Sequence, residues 1–192
     1  MEILVIQKQS HKTTNWSGGT TTELFIYPKG SDYQKRNFLF RVSTATIEIE
    51  ESQFTKLADV NREIMILDGE IELIHEGRYS KTLGKFDTDT FSGEWDTRSI
   101  GKATDFNLMT KGNVRGHIRH LGLSAESAQT VNFSTKTQKA LFYIYSGKLQ
   151  ICDKIVDSGD VLFFDTPSNH ENVDIKAVTK ADVIVVELTL IN

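Results

Sequence analysis

The sequence predicts an all-β protein that contains two similar β-barrels and few, short helices. Three observations point to this fold class. Apolar and polar residues alternate at period two along much of the chain, turn-forming residues cluster between the alternating segments, and one strand–glycine–strand pattern occurs twice. Many short strands joined by frequent turns are typical of an antiparallel sandwich or barrel.

The clearest predicted strand runs from Arg41 to Glu50. Every second side chain from Arg41 to Ile49 would lie on one face, and the side chains between them on the other. Similar alternation predicts further strands, in chain order, at Thr22–Tyr27, Glu63–Ile74, Asp105–Met109, Ala140–Ile151, Asp160–Phe164 and Val183–Leu190. Helical turns are expected only at Leu123–Gln129 and, as a short irregular one, at Ser52–Asp59.

The chain repeats part of its own pattern. Met65–Leu73 aligns without a gap on Tyr143–Ile151, so that Gly69 corresponds to Gly147, which lies 147 − 69 = 78 positions later. Each copy is a strand, a glycine at a bend and a second alternating strand. We interpret this as an internal duplication and expect two halves, residues 1–112 and 113–192, with no linker between them.

The composition excludes several classes of protein. The chain has 22 Lys and Arg against 26 Asp and Glu, whereas a nucleic-acid-binding protein needs clustered basic residues. A single cysteine, Cys152, excludes a disulfide framework and an all-cysteine metal site. Met1–Leu4 does not begin a secretory signal, and the longest apolar runs are far shorter than the roughly 20 residues of a membrane span. We therefore expect a cytoplasmic protein that binds neither nucleic acid nor membrane.

The second copy of the repeat continues into a recognisable motif. Gly159–Phe164 follows it and leads to Pro167 and His170. This segment resembles the second sequence motif of the cupin superfamily, whose barrels are jelly rolls. The resemblance implies a duplicated cupin barrel, or bicupin.

Most cupin enzymes hold a metal, and the resemblance therefore raises the question of a metal site. The usual ligands are two histidines one residue apart, a glutamate and a further histidine. The matching stretches, Asp59–Glu63 and Thr135–Lys139, contain no histidine, and only His170 corresponds to a ligand position. Because one imidazole does not hold a catalytic divalent ion, we expect neither a metal nor another cofactor. Cys152 and Ser17 lack the surroundings of an activated nucleophile, and we predict no catalytic residue.

Polar residues on faces that should point inward are the candidates for a ligand site. Arg41 and Ser43 share a face with apolar residues, and a buried arginine needs a carboxylate from the protein or from a ligand. Asp105, Asn107 and Met109 share one face of a later strand. An internal pair between Arg41 and an aspartate that only orders the core is an alternative that the sequence leaves open.

Five short motifs occur in a fixed order: Asn15–Thr20 with Glu23, Arg41–Ile47, Asp59 with Arg62, Phe91–Trp95, and Asp105–Met109. In this order they resemble the HutD/Ves family of bacterial proteins over about residues 14–112, and only the general cupin pattern continues beyond. The chain departs from the family at Thr55–Ala58, where proline and glycine are usual, and at Glu94, where aspartate is more usual.

The resemblance implies a metal-poor bicupin whose role is assigned from genetic context. HutD-like members accompany histidine-degradation genes and are thought to limit that pathway, with urocanate or formylglutamate as the sensed intermediate. Ves-like members are described as stress-induced. The planar fork of an inward arginine is well suited to a small carboxylate of this kind.

Together these observations predict a regulator that binds a small carboxylate. The expected roles are Arg41 as carboxylate clamp, Ser43 and Asn107 as orienting groups, Trp16 as an apolar wall, Asp59 with Arg62 as a pair at the pocket mouth, and Asp105 and Met109 as further lining. One alternative is a metal-independent or weakly metal-dependent cupin enzyme of isomerase or hydrolase type that uses Asp105, Asp59 and His170 as acid–base groups. Another is a protein–protein interaction module or homodimer, in which the strand Val183–Leu190 is covered by a second subunit.

Overall fold

The architecture is that of a computed structural model, which describes residues 2–165 and 172–191. These residues form strands and one 3-10 turn at Lys8–Ser10, so the predicted all-β class is confirmed. The strands are β1 (Glu2–Ile6), β2 (Lys12–Trp16), β3 (Gly19–Tyr27), β4 (Phe40–Ile47), β5 (Glu51–Gln53), β6 (Val60–Gly69), β7 (Ile71–His75), β8 (Tyr79–Leu83), β9 (Thr88–Ser92), β10 (Thr97–Ile100), β11 (Ala103–Lys111), β12 (Val114–Leu123), β13 (Ala128–Val131), β14 (Lys139–Ser146), β15 (Lys148–Ile151), β16 (Lys154–Asp157), β17 (Val161–Asp165), β18 (Val173–Ala177) and β19 (Ala181–Leu190). Pro167 and His170 of the second cupin motif lie outside the described residues.

One compact unit comprises His11–Val114. It contains a six-stranded sheet in the order β2-β3-β4-β11-β6-β9 and a four-stranded sheet in the order β5-β10-β7-β8. Inward side chains such as Ile64, Ile66, Leu73 and Phe91 form its apolar core. Alternation at period two turns the polar side chains of β4 and β11 toward the same interior, which positions the site described below.

The other unit comprises Met1–Ser10 and Arg115–Asn192. Its sheets have the orders β1-β17-β14-β19-β12 and β13-β18-β15-β16. Its core is apolar and includes Phe142 and Phe164, whose ring centroids are 4.9 Å apart. Strand β19 lies between β14 and β12, so Val183–Leu190 is an interior strand of its own sheet, not an edge for another subunit to cover.

The units differ from the predicted halves at the start of the chain. The boundary between them follows Val114, close to the expected residue 112, but the segment up to Ser10 belongs with the C-terminal unit. The reason is that β1 pairs along its length with β17, from Ile3 opposite Phe164 to Ile6 opposite Val161. Nothing in the local pattern of Glu2–Ile6 indicates this distant partner.

The repeated pattern has the same strand pairing in both units. Phe106 lies opposite Met65 between β11 and β6, and Ile184 lies opposite Tyr143 between β19 and β14, which are the positions 78 residues later. The two glycines also share a backbone conformation, with φ of 83° at Gly69 and 86° at Gly147. A Cβ at Gly147 would lie 2.3 Å from the carbonyl oxygen of Lys180, so this bend requires glycine.

The two predicted helical segments are wrong. At Leu123–Gln129 the chain makes a tight turn, in which the backbone N–H of Ser127 donates to the carbonyl oxygen of Ser124, and β13 then begins at Ala128 to pair with β18. At Ser52–Asp59 the backbone bonds to distant segments, since the N–H of Phe54 donates to Thr97 and that of Leu57 to Gly93. These long-range partners replace the local bonds of a helix. The described residues contain no helix long and apolar enough to cross a membrane.

Candidate functional site

The His11–Val114 unit encloses a cavity of about 620 Å³. Its walls come from strands β2, β3, β4, β5, β6 and β11, from the segment that follows β5, and from the loop between β3 and β4. Seven of the eight predicted site residues line it: Trp16, Arg41, Ser43, Arg62, Asp105, Asn107 and Met109. Asp59 does not.

The strand register explains why these side chains meet. Met109 on β11 lies opposite both Arg41 on β4 and Arg62 on β6, so the two arginines flank it across three adjacent strands. Asn107 lies opposite Ser43, one step further along the same inward face. Because successive inward residues are two positions apart on a strand, Asp105 lies on the same inward face. We refer to the inward-facing side chains of Arg62, Asp105 and Asn107 as the cavity floor.

Arg41 is bound to the protein's own groups. Its Nε donates to Oε2 of Glu23 over 2.7 Å and its Nη1 donates to Oγ of Ser43 over 3.1 Å. Its guanidinium also lies over the ring of Tyr33, with Cζ 4.4 Å from the centroid. The carboxylate that the sequence required for Arg41 is therefore Glu23, not an aspartate, and the pair lies in the cavity wall.

This pair predicts a stability effect. Arg41→Met would leave Glu23, whose side chain is 28% exposed, as an unpaired carboxylate in the wall, and we expect a loss of about 1–3 kcal/mol in the free energy of unfolding. The double variant Arg41→Met with Glu23→Gln should recover part of that loss, as measured by urea unfolding. Lys56→Met is the control, since it breaks an exposed ion pair with Asp96 and should cost less than about 1 kcal/mol. Equal losses in the two single variants would contradict a structural role for the Arg41–Glu23 pair.

Arg62 differs from Arg41 because it is buried without comparable partners. The residue is 6% exposed, and its guanidinium lies against the rings of Phe54 and Phe91, with Cζ 4.7 and 5.5 Å from their centroids. Its Nε has no hydrogen-bond partner among the described residues. Burial lowers the pKa of Arg62 to about 10, and nearby Arg41 adds to this, although the charge of Asp105 acts in the opposite direction. A hydrogen-bond donor of this kind is expected to bind an acceptor.

The predicted pair of Asp59 with Arg62 at the pocket mouth is wrong in its geometry. Arg62 turns into the cavity floor, whereas Asp59 is exposed in the turn before β6 and has a φ of 59°. The backbone N–H of Asp59 faces Oε1 of Glu94 at 3.4 Å. The left-handed backbone at Asp59 directs the chain into β6 and leaves its side chain outside the cavity.

Two acceptors face the interior alongside Arg62. Asp105 is 2% exposed and Asn107 is 5% exposed, and Oδ1 of each has no hydrogen-bond partner in the described part of the chain. Burial raises the pKa of Asp105 to about 7, although the charge of Arg62 lowers it in part. The cavity floor therefore combines a donor with two acceptors that the protein does not satisfy.

Aromatic side chains form part of the remaining walls. Trp16 is 38% exposed and lies over Gly18, where an added Cβ would come within 2.1 Å of its Cζ3 atom. Tyr33 reaches over Arg41 from the loop between β3 and β4. The sequence reasoning gave no role to Tyr33, Phe54 or Glu23. Of these, only Glu23 had a usable signal, because it stands in a family motif and in a predicted strand.

Among the described residues of the second unit, the positions that correspond to the polar floor are apolar. At the offset of 78 the three residues with unpartnered atoms correspond to apolar ones: Arg62 to Ala140, Asp105 to Val183 and Asn107 to Val185. All three apolar residues belong to the core cluster of that unit and are fully buried. The two copies thus differ at these three positions, which are polar in one unit and apolar in the other.

The candidate metal ligands do not come together within the described residues, where no three His, Cys, Asp or Glu side chains could hold an ion. His75 is buried and bonds through its two ring nitrogens to Thr97 and Asp89, and His120 bonds to Asp182. His170, the one residue at an expected cupin ligand position, lies outside the described residues.

Comparisons with known proteins agree with this architecture. The HutD family model matches residues 8–185. Among solved structures, HutD from Pseudomonas fluorescens SBW25, in a formate condition, has 21% identity and a TM-score of 0.78, and covers 100% of both chains. A conserved protein of unknown function, PA5104 from Pseudomonas aeruginosa PAO1, has 21% identity and a TM-score of 0.82 over 98% of this chain and 100% of its own.

The bacterial pirin YhhW from Escherichia coli, in complex with nickel(II), is more distant, with 10% identity and a TM-score of 0.74 over 99% of this chain and 100% of its own. No curated protein matches the sequence. At these identities the solved structures show the fold alone, and they confirm the predicted duplicated cupin architecture.

Proposed function

The chain belongs to the HutD family, and on that premise we propose that it is a cupin-type protein that binds a small carboxylate in the cavity of its His11–Val114 unit. In this proposal Arg62 holds the carboxylate. Ser43 and Asn107 orient the ligand, and Trp16 forms an apolar wall.

The observation that carries the proposal is the buried, unpartnered Nε of Arg62. A buried charged donor without an acceptor is unfavourable by about 1–3 kcal/mol or more, and a carboxylate removes that cost because its two oxygens match the guanidinium fork. Arg41, which the sequence suggested for this role, already donates to Glu23 and Ser43. In the proposed complex Arg41 stabilises the cavity wall through its pair with Glu23 and adds positive electrostatic potential to the cavity.

The unpartnered Oδ1 atom of Asn107 favours a ligand that also carries a hydrogen-bond donor. Urocanate and formylglutamate each combine a carboxylate with an N–H group, and both are small enough for a cavity of about 620 Å³. We therefore propose that the protein responds to an intermediate of histidine utilisation and acts as a regulator in the cytoplasm. In the alternative role, the same binding activity would serve a stress response.

Isothermal titration with urocanate, N-formylglutamate, histidine and formate tests the proposal. We expect one site per chain for at least one carboxylate, and binding at least about tenfold weaker for its amide derivative, which lacks the negative charge. Equal binding of acid and amide, or no binding of any of the four probes, would contradict the proposal.

Asp59 provides the matched control for the site. Asp59→Ala removes a carboxylate from the same unit, but the residue is exposed and does not line the cavity, so we expect the affinity for the same ligand to change by less than about twofold. A tenfold change in the titration would contradict the assignment of the site to the cavity floor.

A second candidate function is catalysis on the same ligand class. It is favoured by Asp105, because a buried carboxyl with a pKa near 7 can accept or donate a proton at neutral pH. Product analysis after incubation with each carboxylate, with and without a chelator, distinguishes the two functions, since a binding protein returns the ligand unchanged. Self-association stays a prediction, which size-exclusion chromatography at several concentrations would test.

A further inference from the structure

The cavity contains one close ion pair and one separated pair of charges. Arg41 and Glu23 neutralise each other at 2.7 Å. Arg62 and Asp105 interact electrostatically without a hydrogen bond between Nε of the arginine and Oδ1 of the aspartate. The charged or titratable side chains that line the cavity with Asp105 are Lys12 on β2, Glu23 on β3, Asp32 and Tyr33 in the following loop, Arg41 on β4 and Arg62 on β6.

The position of Asp105 makes its ionisation dependent on Arg62. Asp105 is 2% exposed, so water cannot stabilise its negative charge, and the positive charge of Arg62 favours the ionised form. Lys12 and Asp32 are exposed at the rim, where solvent screens them. Burial raises the pKa of Asp105 to about 7 even with Arg62 nearby.

A carboxylate bound beside Arg62 would remove the electrostatic stabilisation that Arg62 gives to ionised Asp105. Its negative charge would neutralise the guanidinium and would also repel an ionised Asp105 across a low-dielectric cavity. A protonated Asp105 avoids the repulsion and gains an O–H that can donate to a ligand oxygen. The floor would then carry one positive charge opposite one bound carboxylate.

We propose that Asp105 takes up a proton when a carboxylate ligand binds beside Arg62, so that ligand affinity is coupled to pH through this residue. This inference rests on the proposed function and adds a regulatory property to the same site. Asp105 thereby acts as a specificity residue, because it favours ligands that present an acceptor to it in acid solution.

The direction of the pH dependence follows from linkage. Below about pH 6.5, Asp105 is already protonated in the free protein, and affinity is at its maximum. As the pH rises above about 7, the free protein loses the proton that the complex retains, so affinity falls by up to about tenfold per pH unit until the complex also ionises. N-formylglutamate is the suitable probe, since its two carboxylates remain ionised throughout this range.

The test is calorimetric titration of the full-length protein with N-formylglutamate at pH 7.5 in PIPES, HEPES and Tris, which differ in their enthalpy of ionisation. We expect the apparent binding enthalpy to depend on the buffer with a slope of about 0.5 to 0.8 proton taken up per ligand. Asp105→Asn keeps the side-chain shape but cannot titrate, and its slope should be close to zero while binding persists.

The outcomes separate the two proposals. Binding with a slope of zero or of opposite sign in the wild type would overturn proton uptake and leave the carboxylate site intact. An unchanged slope in Asp105→Asn would assign the proton to another group and overturn the inference as well. Absence of binding at every pH from 6 to 9 would overturn both the inference and the proposed function for this ligand.

Discussion

Replacing Arg62 with methionine is expected to lower the affinity for a carboxylate ligand about 10- to 100-fold and to raise the stability of the ligand-free protein. The loss of affinity follows from the loss of a charge-assisted bond in a buried site, worth about 1.5–3 kcal/mol. The gain in stability follows because Arg62 is 6% exposed and its Nε has no partner in the described chain. Methionine keeps an unbranched stem against Phe54 and Phe91 without the buried charge.

The stability gain should be about 1–3 kcal/mol, less what the guanidinium contributes through its contacts with the two rings and through its stabilisation of ionised Asp105. This direction is unusual, because most substitutions of buried residues destabilise a protein. It is the behaviour expected of a residue that is retained for binding at the expense of stability.

Two measurements on one protein preparation check the prediction. Titration gives the affinity, and urea unfolding without ligand gives the free energy of unfolding. Arg98→Met is the matched control, because Arg98 is a partly exposed arginine whose ion pairs with Glu51 and Glu76 lie outside the cavity. It should leave the affinity unchanged and have little effect on stability, because the ion pairs of Arg98 are exposed to solvent. A destabilised Arg62→Met protein with wild-type affinity would show that Arg62 is structural.

The inward face of each central strand could be predicted from the sequence. Period-two alternation is a local property of extended backbone, and it correctly grouped Arg41 with Ser43 and Asp105 with Asn107 and Met109. The duplicated pattern was likewise visible as an alignment of the chain with itself, and the strand register preserves its offset of 78 residues.

The partners of these side chains could not be predicted in the same way. Glu23 reaches Arg41 because β3 pairs with β4 in a register that places Glu23 opposite Ser43, directly before a bulge between Glu23 and Phe25. The burial of Arg62 depends on Phe54 and Phe91, which come from two other parts of the unit. Such contacts depend on strand order and register, which are set by packing of the whole barrel and not by the local pattern.

The two copies differ in polarity at three corresponding interior positions. In the Arg115–Asn192 segment, Ala140, Val183 and Val185 fill a continuous apolar core and need no polar partner. In the His11–Val114 unit the corresponding positions retain charge and hydrogen-bonding capacity at a cost in stability. At these three positions the apolar copy thus adds to stability, while the polar copy keeps hydrogen-bonding groups that the described residues do not satisfy.

Asp105→Asn is expected to stabilise the ligand-free protein at pH 8 but not at pH 4. In the folded protein burial raises the pKa of Asp105 to about 7, whereas an aspartate in the unfolded chain has a pKa of about 3.9. Between these values the folded state binds more protons than the unfolded state. The free energy of unfolding therefore falls as the pH rises from about 4 to about 7, by up to about 1.4 kcal/mol per pH unit, and is level above that range.

Asparagine has the same shape and no charge, so the variant should lack this contribution. The difference between variant and wild type should be small at pH 4 and reach about 2–4 kcal/mol in favour of the variant at pH 8. Urea unfolding at pH 4, 6 and 8 measures it, and Asp59→Asn makes the same chemical change at an exposed residue as a control. A difference that does not vary with pH would mean that Asp105 remains ionised in the folded protein. In that case the ionised carboxylate of Asp105 would neutralise the charge of Arg62, and the cavity floor would have no positive charge left for an anionic ligand.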